Sequence, residues 1–135
     1  MVAATAVRKT EIMFIISTYV APSSIHGLGV YAGEDVTEGQ PIWQFAPGLD
    51  LVVPFDRVAA APKAFQDFMD MYAYVSPMIE GGMVLSCDHA KFLNHSDDPN
   101  TEIRGHTTFA RRPIEKGGEI TCDYRICCQG FTGEF

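Results

Sequence analysis

The densest chemistry in the sequence is the stretch KFLNHSDDPN, residues 91–100. In it an amide, an imidazole, a hydroxyl and two adjacent carboxylates follow the apolar pair Phe92-Leu93. A second polar cluster, Cys87-Asp88-His89, lies just upstream. Side chains of these types can ligate a metal, carry out hydrolysis, cap a turn or hold a cofactor. The spacing of these residues and the rest of the chain decide among the four interpretations.

The metal and hydrolase interpretations find little support in the spacing. Ligand types that suit zinc or iron are present, but no pair of them has the HExxH spacing of a helical metal site, so we expect no metal. The ligand-type side chains are Asp88, His89, His95, Asp97 and Asp98. A hydrolase would pair Cys87 with a neighbouring histidine, but the chain contains no GxSxG nucleophile elbow. Asp97 and Asp98 are instead typical of a turn whose side chains bond the local backbone.

Two further motifs contain residues that could do chemistry. In SSIHGLGVYA, residues 23–32, a GxG pair around Leu28 lets the backbone turn tightly and approach a ligand closely. This motif lacks the third glycine and the following helix of a dinucleotide-binding fingerprint. The second motif, GEITCDY, residues 118–124, ends in Tyr124. Taken alone, a GxG pair indicates a hairpin turn, and a tyrosine at a strand end indicates a core residue.

The elements that must position these motifs are mainly short strands. Apolar segments such as VYA, PIWQF and LVV are separated by Gly and Pro residues, and similar segments resume after Gly81. Residues 12–21, IMFIISTYVA, contain strand-forming side chains and predict a buried strand. Residues 63–74 predict a central helix, with a lesser helical turn at 56–60. The apolar side chains on one face of that helix are Phe65, Phe68, Met69 and Tyr72.

Two segments of the chain are similar to each other. YAGEDVTEGQPI, residues 31–42, aligns without gaps with FARRPIEKGGEI, residues 109–120, so that Gly39 matches Gly117. Each segment runs from the end of an apolar strand through a charged turn with glycine into another strand. The pattern predicts two hairpin-like units that follow the same turn chemistry.

Length and composition limit the class of protein. The chain has 135 residues, 47% hydrophobic and 20% charged, which suits a single globular domain over residues 1–135. The formal net charge of −7 argues against direct nucleic-acid binding and is compatible with a basic protein or peptide partner. Residues 12–21 are too short to span a membrane, and without an export signal we expect a cytoplasmic protein. The four cysteines form no CxxC pair, so we expect reduced thiols.

The three motifs, taken in their order along the chain, resemble a known protein family more specifically than any one of them does alone. SSIHGLGVYA near the start, KFLNHSDDPN further along and ARRPIEKGGEITCDY near the end together resemble the SET domain, the fold of protein-lysine methyltransferases. The patterns NHSxDPN and AxRxIxxGEEIxxDY are the specific ones. The resemblance covers about residues 15–124, leaves a tail at 125–135, and suggests the small stand-alone bacterial or viral type.

The resemblance implies a fold and an activity. The implied fold is mostly β, a set of small curved sheets with one short central helical insertion. Its C-terminal segment passes under a loop, a pseudoknot that other folds rarely contain. The implied activity is transfer of methyl groups from S-adenosylmethionine to a lysine of a protein substrate, which enters a narrow channel from the opposite face. A catalytically inactive cofactor- or peptide-binding module is the alternative, and a metal-dependent hydrolase is a more distant one.

The resemblance also implies roles for individual residues. The implied cofactor-binding positions are Leu28, Gly29, Lys91, Phe92, Asn94, His95 and Tyr124. The implied substrate channel is formed by Tyr74, Cys122 and Tyr124. Tyr124 is the catalytic candidate because electron-rich oxygens can hold a polarised methyl group through weak CH···O contacts. A lysine in a dry aromatic channel beside a sulfonium loses its proton more readily, so no carboxylate base is required.

Three departures from the family pattern alter these expectations. Lys91 stands where many members have Arg, so a bidentate contact to the cofactor carboxylate is lost. Cys122 stands where the family often has Phe or Tyr, which predicts a roomier channel that permits di- or trimethylation. The zinc-binding cysteine tail of the family is absent, and Phe131 or Phe135 is expected to close the channel instead.

Overall fold

The computed structural model of the protein describes residues 14–45, 50–76 and 79–127, and short strands predominate in them. The strands are β1 (Thr18–Pro22), β2 (Leu28–Ala32), β3 (Pro41–Gln44), β4 (Leu51–Pro54), β5 (Gly82–Leu85), β6 (Asn94–His95), β7 (Thr101–Arg104), β8 (Thr107–Ala110) and β9 (Glu119–Cys122). The helices are α1 (Phe55–Ala60), α2 (Lys63–Tyr72), α3 (Tyr124–Cys127) and a short 3-10 helix (His89–Phe92). Phe131 and Phe135, which are expected to close a channel, lie outside the described residues.

The described strands form three small sheets. The first has the order β1-β2-β9-β6, the second the order β3-β8-β7, and the third pairs β4 with β5. Neighbouring strands are antiparallel, except that β6 runs parallel to β9. The expectation of a mostly β fold built from small sheets is therefore confirmed.

The predicted helical insertion lies between β4 and β5. α1 follows β4 directly, and α2 begins after Pro62 and ends at Tyr72, two residues earlier than predicted. Of its predicted apolar face Met69 is fully buried, whereas Phe65 and Phe68 are each 38% exposed. The single central insertion is confirmed, but α2 packs on the sheets through a narrower stripe than its sequence suggests. None of the helices in the described ranges is long and apolar enough to cross a membrane.

The strand predicted at residues 12–21 is found in part as β1, but it begins later than predicted and none of its residues is buried. β1 begins only at Thr18, and residues 12 and 13 lie outside the described part of the chain. Tyr19 is 42% exposed, although Ile16, just before the strand, is buried in the core. Among the described strands β1 is the edge strand of its sheet, with β2 as its partner, so a neighbouring strand covers it on one side alone.

The two similar segments, residues 31–42 and 109–120, do not form separate hairpins. The first links β2 to β3 and the second links β8 to β9, so each segment joins two different sheets. β2 pairs with β9 and β3 pairs with β8, which means that the two segments pair with each other. The hairpin interpretation is wrong because turn residues determine a local bend and do not determine the partners of the strands that leave it.

The pairing of these two segments is nearly symmetric. Val36 and Ile114 face each other in an antiparallel bridge, with N–H···O distances of 2.8 and 2.9 Å. The backbone N–H groups of Gly39 and Gly117 each donate to the opposite segment at 2.8 Å. Both glycines have positive φ angles, 81° and 88°, which a residue with a side chain adopts only with strain. The two segments are therefore similar in sequence because each forms the same turn with a glycine of positive φ.

The hydrophobic core surrounds this symmetric pairing. Its buried residues are Ile16, Val30, Ala32, Val36, Ile42, Ala110, Ile114 and Ile120. Six of these eight residues belong to the segments 31–42 and 109–120. Phe92 and Leu93 pack against the same core from outside, so the core also supports the stretch in which the polar cluster begins.

The C-terminal part of the described chain crosses the segment that contains β6. β6 runs parallel to β9, with Asn94 opposite Thr121. After β9 the chain turns into α3, and the backbone N–H of Tyr124 donates to Nδ1 of His95 at 3.0 Å. The pseudoknot that the resemblance implies requires this close approach of the C-terminal segment to β6. The approach brings together two polar motifs that lie far apart in the sequence.

Candidate active site

A cavity of about 460 Å³ lies between the loop before β2, the last turn of α2 and β6. Ile25, His26 and Gly27 form its loop side. Six of the seven positions that the resemblance assigns to the cofactor line this cavity. They are Leu28, Lys91, Phe92, Asn94, His95 and Tyr124. The fold thus brings residues that are almost a hundred positions apart in the sequence together around one cavity.

Asn94 is buried, and its amide connects β6 to the loop before β2. Its Nδ2 lies 3.1 Å from the carbonyl oxygen of His26 and 3.0 Å from that of Leu28. A third acceptor, Oε2 of Glu119, lies 3.0 Å away. Because an amide has two hydrogens, the three acceptors share two donors. The Asn94 side chain is therefore occupied in holding the backbone of the loop.

His95 is buried and hydrogen-bonded at both ring nitrogens. Nδ1 accepts the backbone N–H of Tyr124, so the proton of the neutral ring is on Nε2. Nε2 then donates to Oδ1 of Asp97 at 2.8 Å. Asp97 lies in the predicted turn, where its carboxylate orients His95 two residues before it. It also pairs with Arg125 at 3.0 Å. The turn pattern in the sequence carries no signal for Arg125, which is distant along the chain.

Gly29 lies outside the lining of the larger cavity. It sits in β2 opposite Ala21, and a Cβ atom built on it would lie 2.5 Å from Oε2 of Glu119. Such a distance is a severe clash, so the missing side chain makes room for this carboxylate. The resemblance assigns Gly29 to the cofactor, whereas the structure places it against Glu119.

The short 3-10 helix presents Lys91 and Phe92 to the cavity. Asp88 caps this helix, since its carboxylate accepts a backbone N–H of the first turn at 2.9 Å. Phe92 meets Tyr72 of α2 edge-on, with 5.6 Å between the ring centroids. Nζ of Lys91 lies 5.7 Å from the centre of the Phe92 ring, and no carboxylate in the described ranges pairs with it. Lys91 therefore offers a positive charge to a cavity that Asp70 also lines.

A second, smaller cavity of about 150 Å³ has mainly apolar and aromatic walls. Tyr74, Cys122 and Tyr124 all line it, so the fold brings together the three residues assigned to the substrate channel. Trp43 of β3, the single tryptophan of the chain, lines it as well. Trp43 was not predicted as a site residue, because the sequence pattern of β3 does not indicate which cavity a side chain of that strand meets.

The two cavities share a wall and meet at Tyr124. The residues that line both are Asp70, Met71, Tyr72, Lys91, Leu93 and Tyr124. The Tyr124 hydroxyl donates to the backbone carbonyl of Leu93, which places two oxygen atoms at the junction. Its ring also packs against His95, with 5.4 Å between centroids. The last turn of α2 is part of this shared wall, a role that its amphipathic pattern did not indicate.

The turn between β9 and α3 is fixed by an arginine–carboxylate pair. Nε and Nη2 of Arg125 lie 3.0 Å from Oδ1 and Oδ2 of Asp123. Hydrogen bonds from the Arg125 side chain hold the pKa of Asp123 below its usual value, although burial acts in the opposite direction. The ionised Asp123 therefore anchors the backbone immediately before Tyr124.

The other ligand-type side chains of the polar stretches point to separate partners. The backbone N–H of Phe14 donates to the Asp88 carboxylate at 2.8 Å. The Thr18 hydroxyl lies 2.9 Å from Nδ1 of His89. Asp98 pairs with two arginines at 3.4 and 3.6 Å. In the part of the chain that the structure describes, no group of three or more His, Cys, Asp and Glu side chains is arranged to hold a metal ion.

The family comparison decides what this arrangement is. The family model of the SET domain matches residues 27–125, a span that includes both cavities' main walls and Tyr124. The chain belongs to the SET domain family. The family that the three ordered motifs predicted is therefore confirmed.

Solved structures share the fold of this SET domain. The Neurospora SET domain protein DIM-5, a histone lysine methyltransferase, matches with a TM-score of 0.55 and 18% identity, over 91% of this chain and 57% of its own. A chain of the Chaetomium thermophilum Polycomb Repressive Complex 2 matches with a TM-score of 0.63 and 16% identity, over 85% of this chain and 16% of its own. At these identities the similarity establishes the fold alone.

Curated relatives of this SET domain are much longer proteins. The histone-lysine N-methyltransferase trithorax of Drosophila virilis is 30% identical over 116 residues, which are 77% of this chain and 3% of that protein. The protein of the same name from Drosophila melanogaster is 28% identical over 116 residues. The chain spans only 2–3% of the length of the curated relatives it matches.

Proposed function

We propose that this SET domain transfers methyl groups from S-adenosylmethionine to a lysine side chain of a protein substrate. The observation that carries the proposal is the pair of cavities that meet at Tyr124, one larger and partly polar and one smaller and apolar. A displacement reaction needs its two partners to approach one point from opposite sides. Relatives named as histone-lysine N-methyltransferases support the same activity.

The larger cavity suits S-adenosylmethionine in size and in the side chains that line it. Its volume of about 460 Å³ lies in the usual range of small-molecule sites. Lys91 would hold the carboxylate of the ligand's amino-acid part, while Leu28 and Phe92 offer apolar surface to the remainder. Asn94 and His95 keep the loop and the start of α3 in position around it. When bound, the cofactor supplies a methyl group that a positively charged sulfur activates.

The smaller cavity would take the lysine of the substrate. Its apolar and aromatic walls, which include Trp43 and Tyr74, exclude water from the amine. Desolvation disfavours the charged form, so the pKa of the lysine falls from its ordinary value of about 10.4. The amine can therefore lose its proton without a dedicated base. Asp97 and Asp123 are engaged with Arg125 and are not needed for that step.

Tyr124 would act at the point where the two cavities meet. Its hydroxyl oxygen and the carbonyl oxygen of Leu93 are electron-rich acceptors for the C–H groups of a polarised methyl. His95 fixes the Tyr124 backbone through Nδ1, and Asp97 fixes His95 through Nε2. The contribution of these residues is therefore orientation and exclusion of water.

Isothermal titration with S-adenosylmethionine, followed by transfer of a labelled methyl group to a lysine-rich protein, tests this function. We expect one bound cofactor per chain and label on lysine, located by mass spectrometry. Binding without transfer to any tested protein would favour the alternative of an inactive cofactor- or peptide-binding module. Activity that a chelator abolishes would favour a metal-dependent hydrolase, and a chain that binds no S-adenosylmethionine would overturn the proposal.

Finer features of the function also belong to the proposal. The net charge of −7 supports a substrate segment rich in Lys and Arg. The small side chain of Cys122 supports a channel that permits di- or trimethylation. A cytoplasmic location and the small stand-alone type of chain are expected from the sequence and stay predictions.

A further inference from the structure

Glu119, a carboxylate behind the larger cavity, joins two parts of the cavity wall. The Ser23 hydroxyl donates to it, at 2.8 Å from Oε1 and 2.9 Å from Oε2. The Asn94 amide donates to Oε2 at 3.0 Å, and the Tyr31 hydroxyl lies 3.4 Å from Oε1. Glu119 itself does not line the cavity, whereas Asn94 does. As the first residue of β9, Glu119 is carried by a strand that lies between β2 and β6.

The loop of residues 23–28 forms one side of the cavity and has little apolar packing. Ile25 and Leu28 are 49% and 47% exposed, so hydrophobic burial does not hold the loop in place. Polar contacts do so instead. The Ser23 backbone N–H donates within the loop at 2.8 Å, and the Ser23 hydroxyl accepts the Ile25 N–H at 3.0 Å. The Asn94 amide adds hydrogen bonds to two carbonyl oxygens of the same loop.

Gly29 gives Glu119 the space that these contacts need. A Cβ atom at Gly29 would lie 2.5 Å from Oε2 and 2.9 Å from Cδ of Glu119, and 3.0 Å from Cβ of Ser23. A side chain at this position would therefore push the carboxylate away from both of its main donors. Glycine, serine, asparagine and glutamate thus form one unit, which we name the Glu119 clamp: Ser23, Gly29, Asn94 and Glu119.

We propose that Glu119 is a positioning residue for cofactor binding, an inference that rests on the proposed function. Its carboxylate accepts hydrogen bonds from Ser23 and Asn94 together, and so locks the loop 23–28 against β6 before the ligand arrives. A wall ordered in advance lowers the entropic cost of binding. Within the described residues the Glu119 carboxylate contacts Ser23, Tyr31 and Asn94, none of which lines the smaller cavity. The clamp therefore acts on cofactor affinity and leaves the transfer step unchanged.

Three serine variants separate this role from general stability. Ser23→Ala removes the donor to Glu119 and is expected to raise both Kd and KM for S-adenosylmethionine about tenfold at unchanged kcat. Ser23→Thr keeps a hydroxyl and should restore the affinity. Ser24→Ala is the matched control, because Ser24 is an exposed neighbour in the same loop and should bind the cofactor like the wild type.

Two variants of Glu119 test the carboxylate directly. Glu119→Ala leaves Ser23 and Asn94 without their common acceptor and should weaken cofactor binding at least as much as Ser23→Ala. Glu119→Gln keeps one oxygen, which can accept from both donors, so most of the affinity should return. If Glu119→Ala does not fold, the serine series and Glu119→Gln still decide the question.

The possible results distinguish the clamp from the function on which it rests. Titration of the wild-type chain comes first, and absence of cofactor binding overturns both proposals. If the wild type binds while Ser23→Ala binds equally well, the positioning role is wrong and the proposed function stands. A lower kcat at unchanged KM in Ser23→Ala would also overturn the role, since it would place the effect on the transfer step.

Discussion

Tyr124 is fixed at its backbone, its ring and its hydroxyl. The backbone N–H donates to His95, the ring packs on the same histidine, and the hydroxyl donates to the Leu93 carbonyl. Tyr124→Phe should leave the Kd for S-adenosylmethionine within about twofold and lower kcat about a hundredfold, because one oxygen leaves the reaction point while the binding wall stays intact. Isothermal titration and single-turnover label transfer measure the two quantities separately.

A second tyrosine provides the control for this variant. Tyr19→Phe removes a phenolic hydroxyl from β1, where the side chain is 42% exposed and stacks on Tyr31 outside both cavities. We expect no change in kcat or Kd for Tyr19→Phe. Full turnover in Tyr124→Phe would contradict the role given to the Tyr124 hydroxyl.

Cys122 and Trp43 line the same small cavity from different strands. An added ring would fill much of a cavity of about 150 Å³, so it should change which methylated lysines fit. The wild type is expected to yield di- or trimethyl-lysine, and Cys122→Phe should shift the products toward monomethyl-lysine. Mass spectrometry of a single-lysine peptide measures this distribution, with the exposed Cys87→Ser as the control. An unchanged distribution would show that Cys122 does not set the size of the channel.

The sequence predicted those site residues that belong to a recognisable motif. It did not predict those that reach the site only through the arrangement of the strands. Asn94, His95 and Tyr124 belong to ordered motifs, and the fold brings them to one wall as the resemblance implies. Trp43 lies in none of these motifs, and the motif that contains Glu119 does not indicate the partners of its carboxylate, because a strand residue reveals its partners only once the sheets are assembled.

At the scale of elements, the two symmetric segments give equal roles to Gly39 and Gly117. Both have positive φ, and a Cβ atom on either one meets no atom closer than 3.7 Å, so backbone strain is the main cost of a side chain. Gly39→Ala and Gly117→Ala should each lower the free energy of unfolding by about 1–2 kcal/mol. Urea denaturation measures this. Lys116→Ala, an exposed change in the same turn, should stay within about 0.5 kcal/mol of the wild type. Unequal losses would contradict the symmetry.

The turn between β9 and α3 makes stability depend on pH. Arg125 lowers the pKa of Asp123 below its usual value of 3.8, so the unfolded chain binds a proton more readily than the folded one. This contribution to stability is present above that usual value and is lost as the pH falls through the lower, folded-state pKa. The wild type should therefore exceed Arg125→Gln in unfolding free energy at about pH 6, and the gap should shrink toward about pH 2–3.

Urea titrations at several pH values test this linkage. Arg57→Gln is the control, since it removes an equal charge from the exposed end of α1 and should show no such convergence with the wild type. A gap between wild type and Arg125→Gln that stays constant from neutral to acidic pH would contradict the role of the pair.

Elements were predictable from the sequence to different degrees. The central helix was found within two residues because its apolar spacing is a local property. The strand expected at 12–21 shifted because residues of similar propensity can lie before or within an edge strand. The pairing of residues 31–42 with residues 109–120 could not be read from turn chemistry, since it depends on contacts between distant segments.

At the scale of the whole molecule, charge is the feature most relevant to the substrate. The chain carries a formal charge of −7, and the exposed Asp70 lines both cavities at their shared wall. A basic segment on either side of the target lysine would therefore approach a surface of opposite sign.

Two peptides that differ only in the residues beside a single lysine test this expectation. We expect a larger kcat/KM for the arginine-flanked peptide than for the glutamate-flanked one, because long-range attraction speeds encounter. Raising the ionic strength from about 0.01 to about 0.5 M should reduce the difference, since the screening length shortens from roughly 30 Å to a few ångströms. Asp70→Asn should lower kcat/KM for the arginine peptide alone. Equal values for both peptides at low salt would show that the acidic surface does not select the substrate.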